Sequence, residues 1–234
     1  MSLKQNLTEN LMNIKDIICR AAKTSGRSES DIQLVGVTKS VGVQTIRELM
    51  ALGVTCFGEN RVQEFLPKYE TLAECPQDTP NIPNWHFIGH LQRNKVKFII
   101  DKVSVIHSVD SYELAAEIDK RASQAARVMD ILVEINIANE ASKHGVAPTE
   151  AKNLVKSLAA FKHINVKGLM CIAPYVENAE FNRQYFKMMR NILLDIKSNE
   201  YHNLTELSMG MSGDYAVAIE EGATIVRIGS ALVG

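Results

Sequence analysis

The chain has 234 residues, 46% hydrophobic and 23% charged, which is the balance of an ordinary globular protein and argues against disorder. Lys and Arg number 26 against 27 Asp and Glu, a formal net charge of -1, so no large basic field is available to attract nucleic acid or an anionic membrane surface. An anionic ligand has to be held by a local site.

The first segment, residues 1–26, places Leu3, Leu7, Leu11, Ile14, Ile18 and Ala21 on one helical stripe and stops near Gly26. This predicts an extra helix packed on the main fold. It lacks the continuous apolar stretch of a secretory leader, and no apolar run approaches the ~18 residues of a membrane span. Cys19, Cys56, Cys75 and Cys171 are scattered without a C-x-x-C pair. That spacing suits reduced thiols in a cytoplasmic protein and offers no zinc or redox motif.

Short β-branched runs then alternate with helical periodicity. Strands are predicted at 32–38, 55–57, 85–88, 103–107, 130–137, 166–171, 206–209 and 225–228. Between them lie amphipathic segments, including Leu114, Ile118 and Ala122 after a capping box at Asp110 to Glu113. Pro67 falls inside the second such segment and should kink or end it. Residues 75–83 carry three prolines and read as a surface loop. Eight β/α units in one chain of this length imply an α/β fold, a (β/α)8 TIM-type barrel formed by residues 1–234 as a single domain.

In that fold chemistry sits where strands end. Lys39 follows Leu34-Val35-Gly36-Val37-Thr38, so a buried strand delivers an amine to the barrel mouth, where partial burial favours the neutral form that attacks an aldehyde. Ser208-Met209-Gly210-Met211-Ser212-Gly213-Asp214 begins at a strand end and opens a short helix over 215–220, and Arg227-Ile228-Gly229-Ser230 makes a second small-residue turn. The loops after strands 7 and 8 are the usual phosphate site of such barrels. Arg227 either reaches into the mouth or pairs with an acid, and Asn60 either bonds a ligand or caps the helix that follows it. His86 and His90 are four residues apart, but on a strand and turn rather than a helix, which argues against a metal pair.

Val37-Thr38-Lys39, Phe57-Gly58-Glu59-Asn60, His86-Phe87-Ile88-Gly89 with Leu91-Gln92, Gly168-Leu169-Met170, Ser208 to Ser212 and Val226-Arg227-Ile228-Gly229 occur in this order along nearly the whole chain. Together they resemble the pyridoxal-phosphate homeostasis proteins, also called YggS-like proteins. The resemblance implies a barrel like the N-terminal domain of alanine racemases, with pyridoxal 5'-phosphate held as a Schiff base on Lys39. It further implies Ser212, Gly229 and Ser230 around the phosphate, Arg227 at the pyridine nitrogen, Asn60 and His86 near the ring edge, and Met209 among the cofactor-binding residues. The chain departs from that family at Leu232-Val233-Gly234, at His144 beside Lys143, where a small residue is usual, and at Pro67.

The expected function is a non-catalytic carrier in vitamin B6 homeostasis that supplies the cofactor to recipient enzymes and works as a monomer. The alternative is an amino-acid racemase, which needs proton transfer on both faces of the substrate. The sequence stops just after the last strand, which favours the carrier. A phosphate-binding barrel enzyme without pyridoxal would leave Lys39 incidental.

Overall fold

A computed structural model describes residues 2–74, 83–198 and 203–234. The strands are β1 (Gln33–Val37), β2 (Cys56–Glu59), β3 (Asn84–Phe87), β4 (Val105–Val109), β5 (Met129–Ile135), β6 (Ile164–Cys171), β7 (Glu206–Met211) and β8 (Ile225–Ile228). They pair in sequence order, all parallel, and β8 closes back on β1 to form a barrel. The helices are α1 (Leu3–Thr24), α2 (Val43–Ala51), α3 (Val62–Ala73), α4 (Val96–Ile99), α5 (Tyr112–Gln124), α6 (Ala151–Leu158), α7 (Arg183–Ser198), α8 (Tyr215–Glu220) and α9 (Ser230–Val233). The predicted (β/α)8 barrel is therefore present, with strand ends shifted by up to two residues.

Each strand is buried on both faces, which is why its sequence reads as a β-branched run rather than an alternation. Outward side chains and helix stripes make one large core that includes Phe57, Phe65, Phe87, Ile106, Phe186 and Met209. Inward side chains form a separate small cluster of Val35, Cys56, Leu132, Met170 and Ile225 that plugs the barrel.

The N-terminal stripe lies where its periodicity places it. Leu7, Leu11, Ile14 and Ile18 are buried, whereas Leu3 stays exposed in the first turn. The helix packs on α8 and α9, and Asn10 Nδ2 donates to Leu232 O at 3.1 Å. Full burial of each aliphatic side chain there stabilises the docking by about 1.5–3 kcal/mol.

One local expectation needs correction and another is narrowed. Ser111, not Asp110, caps α5, accepting from Leu114 N at 3.4 Å. Of the two outcomes expected of Pro67, a kink or an end, the end does not occur, because the helix continues through it to Ala73. Pro67 and Gln63, whose carbonyl loses its partner, are both exposed, so water replaces the missing bond and the cost stays small. The proline-rich stretch 75–83 lies outside the described residues up to residue 82.

Candidate functional site

The interior of the barrel changes character towards the carboxyl ends of its strands. Above the apolar plug, Arg227 pairs in register with Val35, and His86 with Gly58 and Val105, so these polar side chains share the inward face. They form a continuous row. Arg227 Nη1 donates to Ser208 Oγ at 2.6 Å. Ser208 Oγ lies 3.0 Å from His107 Nδ1, and His107 Nε2 lies 2.9 Å from His86 Nδ1. The row crosses from β8 and β7 to β4 and β3, with all four residues buried.

Its polarity follows from the chemistry of the members. A guanidinium can only donate, so Ser208 accepts from Arg227. Where Ser208 spends its own hydroxyl proton on His107 Nδ1, His107 carries its proton on Nε2 and gives it to His86 Nδ1, which places the His86 proton on Nε2. In either tautomer His86 Nε2 is a buried polar atom with no partner among the described residues. Burial drives His86 down to about 4, and burial, His86 and Arg227 together drive His107 well below the usual imidazole range. Both rings are neutral at pH 7, as this bonding scheme requires.

Arg227 is paired to no carboxylate among the described residues; its second amino group donates to Cys171 O at 2.8 Å. Burial works against its charge, and Cys171, Glu134 and Asp214 work for it. Glu134, facing the same end from β5, is pushed up to about 7 by burial and by Asp110, with Arg227 opposing.

The turns after β7 and β8 are joined by one hydroxyl. Ser212 Oγ accepts from Gly229 N at 3.2 Å and Ala231 N at 3.1 Å, which leaves its proton free to donate to an anion. Asp214 shapes the first turn by accepting from Met211 N at 2.7 Å and Asn182 Nδ2 at 2.8 Å. Gly210 has φ +91°, and a Cβ there would lie 2.6 Å from Ala218 Cβ, so only glycine lets α8 press this close to the bulged end of β7.

Lys39 sits in the turn after β1 and is exposed; the partial burial expected from the sequence is absent because β1 ends at Val37. The turn itself is fixed from below. Lys68 Nζ donates to Thr38 O at 2.7 Å and to Glu59 Oε1 at 2.8 Å, and Thr38 Oγ1 donates to the same carboxylate at 2.7 Å. Asn60 begins the next loop, with its Oδ1 buried and unpartnered. It is pressed against Gly89, where a Cβ would lie 2.2 Å from Asn60 O.

Of the residues singled out in the sequence, Lys39, Asn60, His86, Ser212, Arg227, Gly229 and Ser230 all lie at this one end of the barrel. Met209 differs. Its side chain points into the outer core, so only its backbone is offered to the mouth. Arg227 takes the first of its two expected alternatives, reaching across the mouth instead of pairing with an acid. His107 and Lys68 were missed as site residues, and Ser208 was singled out only as the start of the turn after β7, not as a partner of Arg227 and His107. A polar residue inside a β-branched run was the one available signal for His107, and Lys68 carried none.

The arrangement suits a compact anionic ligand with a polar ring. A hydroxyl at joined turns after β7 and β8 can meet a phosphate. Arg227, His86 Nε2 and Asn60 Oδ1 are polar groups still short of partners that can meet ring substituents, and Lys39 supplies an amine at the rim. These features define a ligand-binding barrel of the (β/α)8 class.

Comparison with known proteins narrows the class. The model of the alanine racemase N-terminal domain family matches residues 10–234. A pyridoxal phosphate homeostasis protein of Aquifex aeolicus is 44% identical over 98% of this chain and 98% of its own length. PipY of Synechococcus elongatus, solved with PLP bound, is 30% identical with a TM-score of 0.83, covering 97% of this chain and 100% of that one. An alanine racemase of Clostridium difficile shares the fold at a TM-score of 0.70 and 19% identity, with this chain matching 56% of its length. The chain belongs to the alanine racemase N-terminal domain family and, within it, to the pyridoxal phosphate homeostasis proteins.

Proposed function

We propose that this protein binds pyridoxal 5'-phosphate through Lys39 and works in the cytoplasm as a non-catalytic carrier that supplies the cofactor to recipient enzymes. Its curated relatives are named for pyridoxal phosphate homeostasis, and PipY was solved with that ligand. When bound, the cofactor supplies an aldehyde for attachment to an amine and a ring that withdraws electrons.

The residues divide the work. Lys39 makes the covalent attachment. Ser212 and Ser230 hydroxyls, with the backbone at Met209 and Gly229, hold the phosphate. Asn60 and His86 Nε2 meet the ring edge. Arg227 faces the pyridine nitrogen.

One observation carries the carrier reading over the racemase reading: Arg227 is buried and bonded to a hydroxyl and a carbonyl, not to a carboxylate. A guanidinium does not readily protonate the ring nitrogen, so the ring stays a weak electron sink and substrate carbanions are poorly stabilised. Slow exchange with other amines is compatible with such a site, and proton abstraction receives little help from the ring.

The test combines trapping with exchange. After incubation with pyridoxal phosphate and borohydride reduction, peptide mapping should place the pyridoxyl group on Lys39, and Lys39→Ala should abolish the adduct. Labelling elsewhere with Lys39 unmodified would overturn the attachment. In deuterated water, α-proton exchange of alanine should stay near the rate of free cofactor, and exchange at enzymatic rates would favour the racemase.

A further inference from the structure

His86 and His90, four residues apart in sequence, turn to different partners. His86 enters the barrel and meets His107; His90 turns outward and stacks on His144, with ring centroids 3.8 Å apart and planes 11° from parallel. Asp110 completes a cluster, its Oδ2 lying 3.8 Å from His90 Nδ1. One ligating atom from each of the three residues lies within 4.8 Å of the other two. From this we infer that His90, Asp110 and His144 form a binding site for a borderline divalent transition ion such as Zn2+ or Co2+ on the rim of the barrel mouth.

The donor set selects the class of ion. Two imidazoles and a carboxylate suit zinc, cobalt or nickel, whereas calcium and magnesium require mainly oxygen ligands. Three protein ligands leave one tetrahedral position open to water or an oxyanion.

The backbone under the cluster is fixed. The donors come from the loops after three consecutive strands, β3, β4 and β5. Ser108 Oγ, two residues before Asp110, donates to Gly89 O, next to His90. The loop carrying His144 is closed by Asn136 Nδ2, which donates to Glu140 O at 2.8 Å and Lys143 O at 3.3 Å. Val146 then pairs with Ile135 at the end of β5. The carboxylate leads directly out of β4 and is only partly exposed.

The side chains need one adjustment. Parallel rings cannot both aim in-plane lone pairs at one ion, so at least one imidazole must rotate about its Cβ–Cγ bond as the donors close to the separations of about 3–3.5 Å that Zn–N and Zn–O bonds of ~2 Å impose. Both residues are exposed, so the rotation gives up their mutual stack on the surface and does not disturb the core. The stack itself has no structural duty in the core, and the His90–Asp110 separation is longer than a hydrogen bond.

Titration of the purified full chain with Co2+ tests the site, read by visible absorption, with Zn2+ competition read by calorimetry. The expected result is one ion per chain with the intense bands of four-coordinate Co2+, displaced by Zn2+. His144→Ser and Asp110→Asn should each weaken binding by at least ~10-fold. His163→Ala, which removes an imidazole 3.7 Å from Asp119 on another face, should leave it unchanged. Thermal melts of the variants verify folding. The proposal is overturned if the wild-type chain takes up no stoichiometric ion, if His144→Ser and Asp110→Asn bind as well as wild type, or if His163→Ala weakens binding equally.

Discussion

Two regions meet at the carboxyl end of this barrel. The interior row of Arg227, Ser208, His107 and His86 is buried and bonded end to end. The rim, with Lys39 and Ser230, is exposed, and neither side chain has a hydrogen-bond or ion-pair partner among the described residues. The row is organised before any ligand arrives and pays for that in desolvation; the rim leaves the Lys39 amine accessible. The proposed carrier needs both. Orientation comes from the fixed groups and exchange from the open one.

Acid should strain the row most. His86 titrates near 4 in the folded chain against about 6.5 unfolded, so the unfolded chain takes up its proton first as pH falls. Stability conferred by the neutral ring is complete above pH 6.5 and declines towards pH 4, by roughly 3 kcal/mol from His86 alone, with His107 adding in the same direction. Glu134, raised to about 7, runs oppositely, losing stability as pH rises between about 4.5 and 7. Urea midpoints from pH 7 to 4.5 should therefore drop in the wild type, drop less in His107→Gln, and drop more steeply in Glu134→Gln.

A second expectation separates stability from binding. Arg227 is a buried cation without a carboxylate, so Arg227→Met should leave the ligand-free protein as stable or about 1–3 kcal/mol more stable, because the relieved desolvation exceeds the two lost hydrogen bonds. Pyridoxal phosphate affinity, measured by absorbance titration, should fall. A large loss of stability would mean that the row serves the fold.

Gly210→Ala should cost about 1–3 kcal/mol in urea unfolding, since both its positive φ and the contact with Ala218 resist a methyl group. It should also weaken phosphate binding by displacing Ser212. The smallest effect belongs to the rim: Lys39→Ala should change stability by no more than about 0.5 kcal/mol while removing covalent capture. Should Lys39→Ala destabilise the protein like Gly210→Ala, the contrast between row and rim would fail.

Much of this was legible in the chain. The eight strands, the N-terminal helix and α8 followed from periodicity, which reflects local burial, and the strand ends marked Lys39, Ser212 and Arg227. Whether Pro67 would end its helix stayed open in the sequence because the cost of a lost helical bond depends on whether water reaches the freed carbonyl, a fact of exposure rather than of sequence. The capping residue of α5 slipped by one position, since Asp110 and Ser111 are both good caps and only the path of the chain chooses between them.

By itself, then, the sequence determined the order of elements and the small-residue turns, because backbone preference and amphipathic period act over a few neighbours. Which side chains meet was decided by closure of the barrel. His86 and His107 are 21 residues apart, and His107 and Ser208 are 101. His86 lies within β3 and His90 in the turn beyond it, as the sequence suggested, but that the one meets His107 and the other His144 was decided only by the closed parallel sheet, carried across several β/α crossovers.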